Sequence, residues 1–118
     1  MDNGRLTRSM LLDFYGELLT DKQRECFDLH YNEDLSLSEI AEQLGISRQG
    51  VWDNIRRAEA SMEDIEKKTG LLLRFEENRR SLERLLTKLE KLAGETGGAA
   101  HDTAVEAADE VRTLISRG

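Results

Sequence analysis

The chain has 118 residues, 38% hydrophobic and 35% charged, which suits one thin-cored domain with an extension and excludes a large core. Its net charge of −7 runs against the basic excess typical of nucleic-acid binders. The single cysteine excludes an internal disulfide or a cysteine-based metal cluster, and fits a reducing compartment. No apolar run is long enough to span a bilayer or to serve as a signal-peptide core, so a cytoplasmic location without membrane insertion is expected. There is no proline, aromatics are only 5%, and β-branched runs are missing. An all-α fold with long helices and short connections follows.

In chain order, Leu6, Met10, Phe14 and Leu18 recur every four residues with Leu11 beside them, predicting an amphipathic helix over roughly residues 5–19. Thr20-Asp21-Lys22-Gln23 reads as a capping box that opens a helix carrying Cys26, Phe27, His30 and Tyr31. Asn32-Glu33-Asp34 ends it. Ser36-Leu37-Ser38-Glu39 is a second capping box, opening a short helix with Ile40, Ala41 and Leu44 on one side, and Gly45 stops that helix. Ser47 caps the next, whose inner face is Val51, Ile55 and Ala58, extending through Met62 and Ile65. Gly70 marks a break. Leu72, Phe75, Leu82, Leu85, Leu86, Leu89 and Leu92 then form a wide helical stripe, Gly94–Gly98 a flexible linker, and about 103–117 a last helix. Residues 1–69 are expected to form one domain and residues 70–118 a C-terminal helical extension.

The informative stretch is LSEIAEQLGISRQGVWDNIRRAEASM, from Leu37 to Met62. A helix-turn-helix needs a small residue where its helices cross closely, here Ala41. It needs a sharp turn, here Gly45, which adopts positive φ cheaply. Ile40, Leu44, Ile46, Val51 and Ile55 fill the wedge between the helices. The second helix then exposes Arg48, Gln49, Trp52, Asp53 and Arg56, the positions that face a major groove. Arg48 suits guanine and Gln49 adenine, Asp53 accepts from cytosine, and Arg56 and Arg57 suit phosphates. Trp52 either stacks on a partner or packs against the C-terminal helix. Residues 1–70 hold 9 Lys and Arg against 15 Asp and Glu, so the half with the motif is also the more acidic one.

The segment LTDKQRECFDLHYNEDLSLSEIAEQLGISRQGV resembles region 4 of bacterial sigma factors. More broadly, residues 5–75, including LLDFYGELLTDKQRECFDLHYNEDLSLSEIAEQLGISRQGVWDNIRRAE, are similar to the YlxM family. These are small helix-turn-helix proteins of bacteria, typically encoded beside the genes of the signal recognition particle and its receptor. The resemblance implies a sigma region 4-like bundle and DNA contact through Arg48, Gln49, Trp52, Asp53 and Arg56. It also implies a link to the signal recognition particle, through its RNA or its GTPase. Residues 93–118 lie outside the resemblance.

The remaining chemistry points away from catalysis. No residue set suggests a triad, Gly94–Gly98 lacks a following Lys-Ser/Thr, and His30 and His101 have no ligand-spaced partners, so neither enzyme activity nor a cofactor or metal is expected. Cys26 is expected to be a buried, inert thiol. Glu76, Glu77, Arg79, Arg80, Glu83 and Arg84 read as a solvated helix face, the alternative being a basic strip of Arg79, Arg80, Arg84, Lys88 and Lys91 that touches RNA or DNA backbone. The leucine stripe Leu72, Phe75, Leu82, Leu85, Leu86, Leu89 and Leu92 reads as the seam of a homodimer, formed through residues 71–92 with or without residues 103–117, which would offer two recognition helices to a palindromic site.

Overall fold

A computed structural model describes the backbone of residues 3–117 and the side-chain surroundings of residues 7–117. The described residues form α1 (Asn3–Tyr15), a 3-10 turn (Gly16–Leu18), α2 (Asp21–Tyr31), α3 (Leu37–Leu44), α4 (Arg48–Thr69), α5 (Leu71–Glu95) and α6 (Gly98–Arg117). They contain no strand, so the all-α class is borne out. The chain divides into two compact units, Met1–Leu72 and Leu73–Gly118.

The helix starts are set locally. At α2 the Thr20 hydroxyl accepts from Gln23 N–H at 3.2 Å, while the Gln23 side chain accepts from Thr20 N–H at 3.3 Å. At α3 Ser36 and Glu39 make the same reciprocal pair, at 3.1 and 2.9 Å. Each box satisfies two of the donors that a helix start leaves unpaired. The bond from Ser36 N–H holds the Glu39 carboxyl below its ordinary value. Gly45 and Gly70 close α3 and α4 in the left-handed region, at φ 69° and 62°, where a side chain would strain the backbone.

In the first unit α4 packs against α1, α2 and α3. Cys26, Phe27, Ile40, Val51, Ile55, Ala58 and Met62 have no solvent exposure, and Leu11, Tyr15, Leu19 and Leu72 join their cluster. Burying a side chain the size of Phe27 or Ile55 contributes about 1.5–3 kcal/mol, so this cluster dominates the unit's stability. The Cys26 thiol sits inside it, and burial pushes its pKa up.

The inner face of α1 differs from the expected row. Leu11, Tyr15 and Leu19 face the core, whereas Phe14 is 38% and Leu18 68% exposed. Leu6 lies outside the residues whose side chains are described. Here α1 ends at Tyr15, and the tighter 3-10 turn rotates Leu18 outward. Tyr15 is tied to α4: its hydroxyl donates to Glu66 Oε1 at 2.6 Å and lies 2.8 Å from Thr69 Oγ1. The same Glu66 oxygen accepts from Leu72 N–H at 2.9 Å, and Thr69 Oγ1 accepts from Leu71 N–H at 3.4 Å. One carboxylate thus caps α5 and anchors α1. Burial, then the bond to Glu66, raises the Tyr15 phenol pKa. Arg8 adds a second α1–α4 tie, its Nε bonding Glu59 Oε1 at 2.7 Å.

In the second unit the expected linker is shorter than its glycines suggest. α5 runs through Gly94 to Glu95, and α6 begins at Gly98 rather than near residue 103. An interior glycine costs a helix only about 1 kcal/mol, which the preceding turns outweigh. Ala104, Ala108 and Val111 of α6 are buried, and His101 Nδ1 lies 2.7 Å from Ala93 O, closing the hairpin at its turn.

Candidate nucleic-acid interface

Two helices and a tight turn build the site. Gly45 N–H and Ile46 N–H both reach Ala41 O, at 2.9 and 3.2 Å, and fold the chain back at the end of α3. Ser47 then restarts it, its hydroxyl accepting from Gly50 N–H at 3.0 Å. A Cβ at Gly50 would sit 3.2 Å from that hydroxyl, so the missing side chain leaves room for the cap. Val51, Ile55, Ala58 and Met62 lock one face of α4 into the core, with no exposure. The helical period then forces Arg48, Gln49, Trp52, Asp53, Arg56 and Arg57 outward, and all six are exposed. The sequence reading and the structure therefore bring the same side chains together on one surface.

Trp52 is 40% exposed and lines a shallow depression with Leu37, Arg48 and Gln49. Its indole flanks the first turn of α4 beside the start of α3. A second depression along the same helix is lined by Asp53, Arg56, Arg57 and Ala60. Arg48, Arg56 and Arg57 take part in no ion pair among the described residues, which leaves their donors directed at solvent. The macrodipole adds partial positive charge at the α4 start, near Arg48.

The surrounding acids are partly spoken for. Glu59 is paired with Arg8, and Glu39 closes its capping box. Asp53 Oδ1 accepts from Gln49 Nε2 at 3.0 Å, a bond the sequence reading missed. The two residues are one helical turn apart, the spacing at which side chains meet, and that was the available signal. The bond uses one of the two N–H donors of the Gln49 amide and leaves the other N–H and the carbonyl oxygen for a base edge.

The expected dimer seam is spread over different environments. Leu72 is 4% exposed within the first unit's own core, a correction: its neighbours are α1 and α4 side chains, held there by the Glu66 cap. Phe75, Leu82, Leu86 and Leu89 are half-buried, while Leu85 and Leu92 are 45% and 48% exposed. His30 is occupied locally, its Nδ1 2.9 Å from Leu35 O.

The family described as "Putative helix-turn-helix protein, YlxM / p13 like" matches residues 2–97, all of α1 to α5. The chain belongs to this family. A YlxM-like relative from Thermoanaerobacter sp. is 50% identical over 92 residues, spanning 78% of this chain and 73% of its own length. One from Halalkalibacterium halodurans is 47% identical over 88 residues, spanning 75% and 81%. One from Acetivibrio thermocellus is 54% identical over 76 residues, spanning 64% and 65%. All three are named only as UPF0122 proteins. The family is described by its helix-turn-helix and not by a reaction. None of the helices among the described residues is long and apolar enough to cross a membrane.

Proposed function

We propose that this YlxM-like protein is a DNA-binding helix-turn-helix regulator that works in the cytoplasm without enzymatic activity. Arg48, Gln49, Trp52, Asp53 and Arg56 face the major groove, and Arg57 meets the backbone. The observation that carries the reading is the exposure of Arg48, Arg56 and Arg57, none in an ion pair among the described residues, on a helix whose opposite face is fully buried. Such a helix is rigid in position and offers cations and a flat aromatic ring to one surface. Resemblance to sigma region 4 supports the same docking.

Binding of labelled duplex DNA, followed by anisotropy and by the fluorescence of Trp52, tests it. Affinity should fall steeply between low and physiological salt, and Arg48→Ala/Arg56→Ala should lower both the affinity and the salt slope. Salt-independent binding, or binding indifferent to the double substitution, rejects the reading. The link to the signal recognition particle rests on family resemblance and takes its own probe, the labelled particle RNA; binding confined to that RNA moves the function to protein targeting.

A second reading, a protein-binding adaptor built on the same fold, is favoured by the Gln49–Asp53 bond and by the depression in which Trp52 and Leu37 lie beside Arg48 and Gln49. An acid in the middle of the reading face repels phosphate but suits a basic protein partner. Absence of binding to either nucleic acid by the folded protein selects it.

A further inference from the structure

The α5–α6 hairpin has two flanks of different character. At about 100° per residue, Glu90 lies to one side of the inner row of α5, and Arg112 and Val105 lie to one side of the inner row of α6. Arg112 bonds Glu90 at 2.8 Å, so these residues share a flank. Leu85 and Leu92 of α5, and Ala100, Ala107 and Leu114 of α6, therefore share the other one. On this flank Leu85, Leu92 and Leu114 are 45%, 48% and 52% exposed. Each set repeats every seven residues, the spacing of helix-to-helix seams, and the alanines keep the surface flat enough for close approach.

Midway along the hairpin the rims of that flank are opposite in charge. Arg84 and Lys88 border it on α5, and Glu106 and Glu110 border it on α6. Ala93 is level with His101, and Leu82 shares a cleft with Leu114 and Ile115, so Lys88 stands at about the level of Ala108, between the two glutamates. Lys88, Glu106 and Glu110 form no ion pair among the described residues.

We propose that this flank docks a second copy of the chain, forming a four-helix bundle in which each α5 lies over the partner's α6. A two-fold axis parallel to the helices produces that arrangement. It covers Leu85, Leu92, Ala107 and Leu114 on both copies and sets Lys88 and Arg84 against the partner's Glu106 and the partner's Glu110. The surface is self-complementary in shape and in charge, as an isologous interface requires. The seam is then Leu85, Leu92, Ala107 and Leu114, and not the half-buried row Leu82, Leu86 and Leu89. α6 lies beyond the family match, so half of this surface is contributed by the chain's own last helix. The proposal does not depend on the nucleic-acid reading.

Light scattering on the full chain at micromolar concentration tests it. The expected mass is twice the 13.4 kDa of one chain. Leu85→Glu/Leu114→Glu should halve it with helical content retained, whereas Val105→Glu, on the opposite flank, should leave it unchanged. Lys88→Glu should shift the protein toward monomer, and Lys88→Glu/Glu110→Lys should restore the dimer. A monomeric parent overturns the proposal and hands the face to a different protein. So does a dimer that survives Leu85→Glu/Leu114→Glu. Should that variant lose helix, the charge exchange decides: failure to restore the dimer overturns the arrangement.

Discussion

The two units hide their apolar side chains to different depths. In the first, Cys26, Phe27, Ile40, Val51, Ile55, Ala58 and Met62 reach zero exposure; in the second, the deepest residues are Ala104 and Ala108 at 3% and Val111 at 6%. Helices that cross one another enclose an interior, and α4 provides the central post that α1, α2 and α3 surround. Two helices side by side share a single seam and keep both flanks open. The first unit can therefore close its core alone, while the second has apolar surface left to bury. Small antiparallel pairs of helices are marginal in water for this reason.

That contrast is open to direct attack. The largest effect is expected for Phe27→Ala, which empties the centre of the first unit and should cost about 3–5 kcal/mol, read as a lower denaturant midpoint. Tyr15→Phe removes the donor to Glu66 and should cost about 2 kcal/mol. It should also change the alkaline limb of stability. Because the folded phenol pKa is raised, its contribution is complete below about pH 10 and is lost as pH rises through the folded value. Tyr15→Phe should flatten that loss in thermal melts above pH 10.

In the second unit, Val111→Ala should cost about 1.5 kcal/mol, at ~0.8 kcal/mol per methylene. Hydrogen exchange should place that loss in α5 and α6 while the amides of α2 and α4 keep their protection. Uniform loss across both units would show one cooperative body instead of two. The smallest effect is expected for Ser36→Ala, about 1 kcal/mol from the α3 cap. The Glu39 carboxyl of the same box has a lowered pKa, first from the Ser36 N–H, so its own contribution is present above about pH 4.3 and lost as pH falls through the folded value. Glu39→Gln, which removes the titrating group, should therefore flatten the acid-side loss, measured by circular dichroism down to pH 2.

The same division explains what the amino-acid pattern revealed. Caps and turns depend on residues three to five apart, so Thr20–Gln23, Ser36–Glu39, Gly45 and Ser47 were legible, and with them the outward set from Arg48 to Arg57. The inner row of α1 was not legible because Phe14 and Leu18 continue the four-residue spacing as well as Tyr15 and Leu19 do, and only tertiary packing chooses between them. The Tyr15–Glu66 bond spans 51 positions and has no local signature. Leu72 looked like part of the α5 stripe because nothing nearby records that Glu66 accepts the Leu72 N–H and that Leu72 belongs to the first unit's core. Which flank of the hairpin is polar depends on Arg112 meeting Glu90, 22 positions away. The apolar stripe was visible, and its sidedness was not.

The lone sulfur in the chain has a practical consequence. Cys26 has no solvent exposure, and its thiol is held in the less reactive protonated form by burial. A thiol reagent reaches it only when the wedge of α2, α3 and α4 parts. The rate of labelling under native conditions therefore counts those openings one by one. A ligand gripping the outer surface of α4 would slow that clock without touching the sulfur.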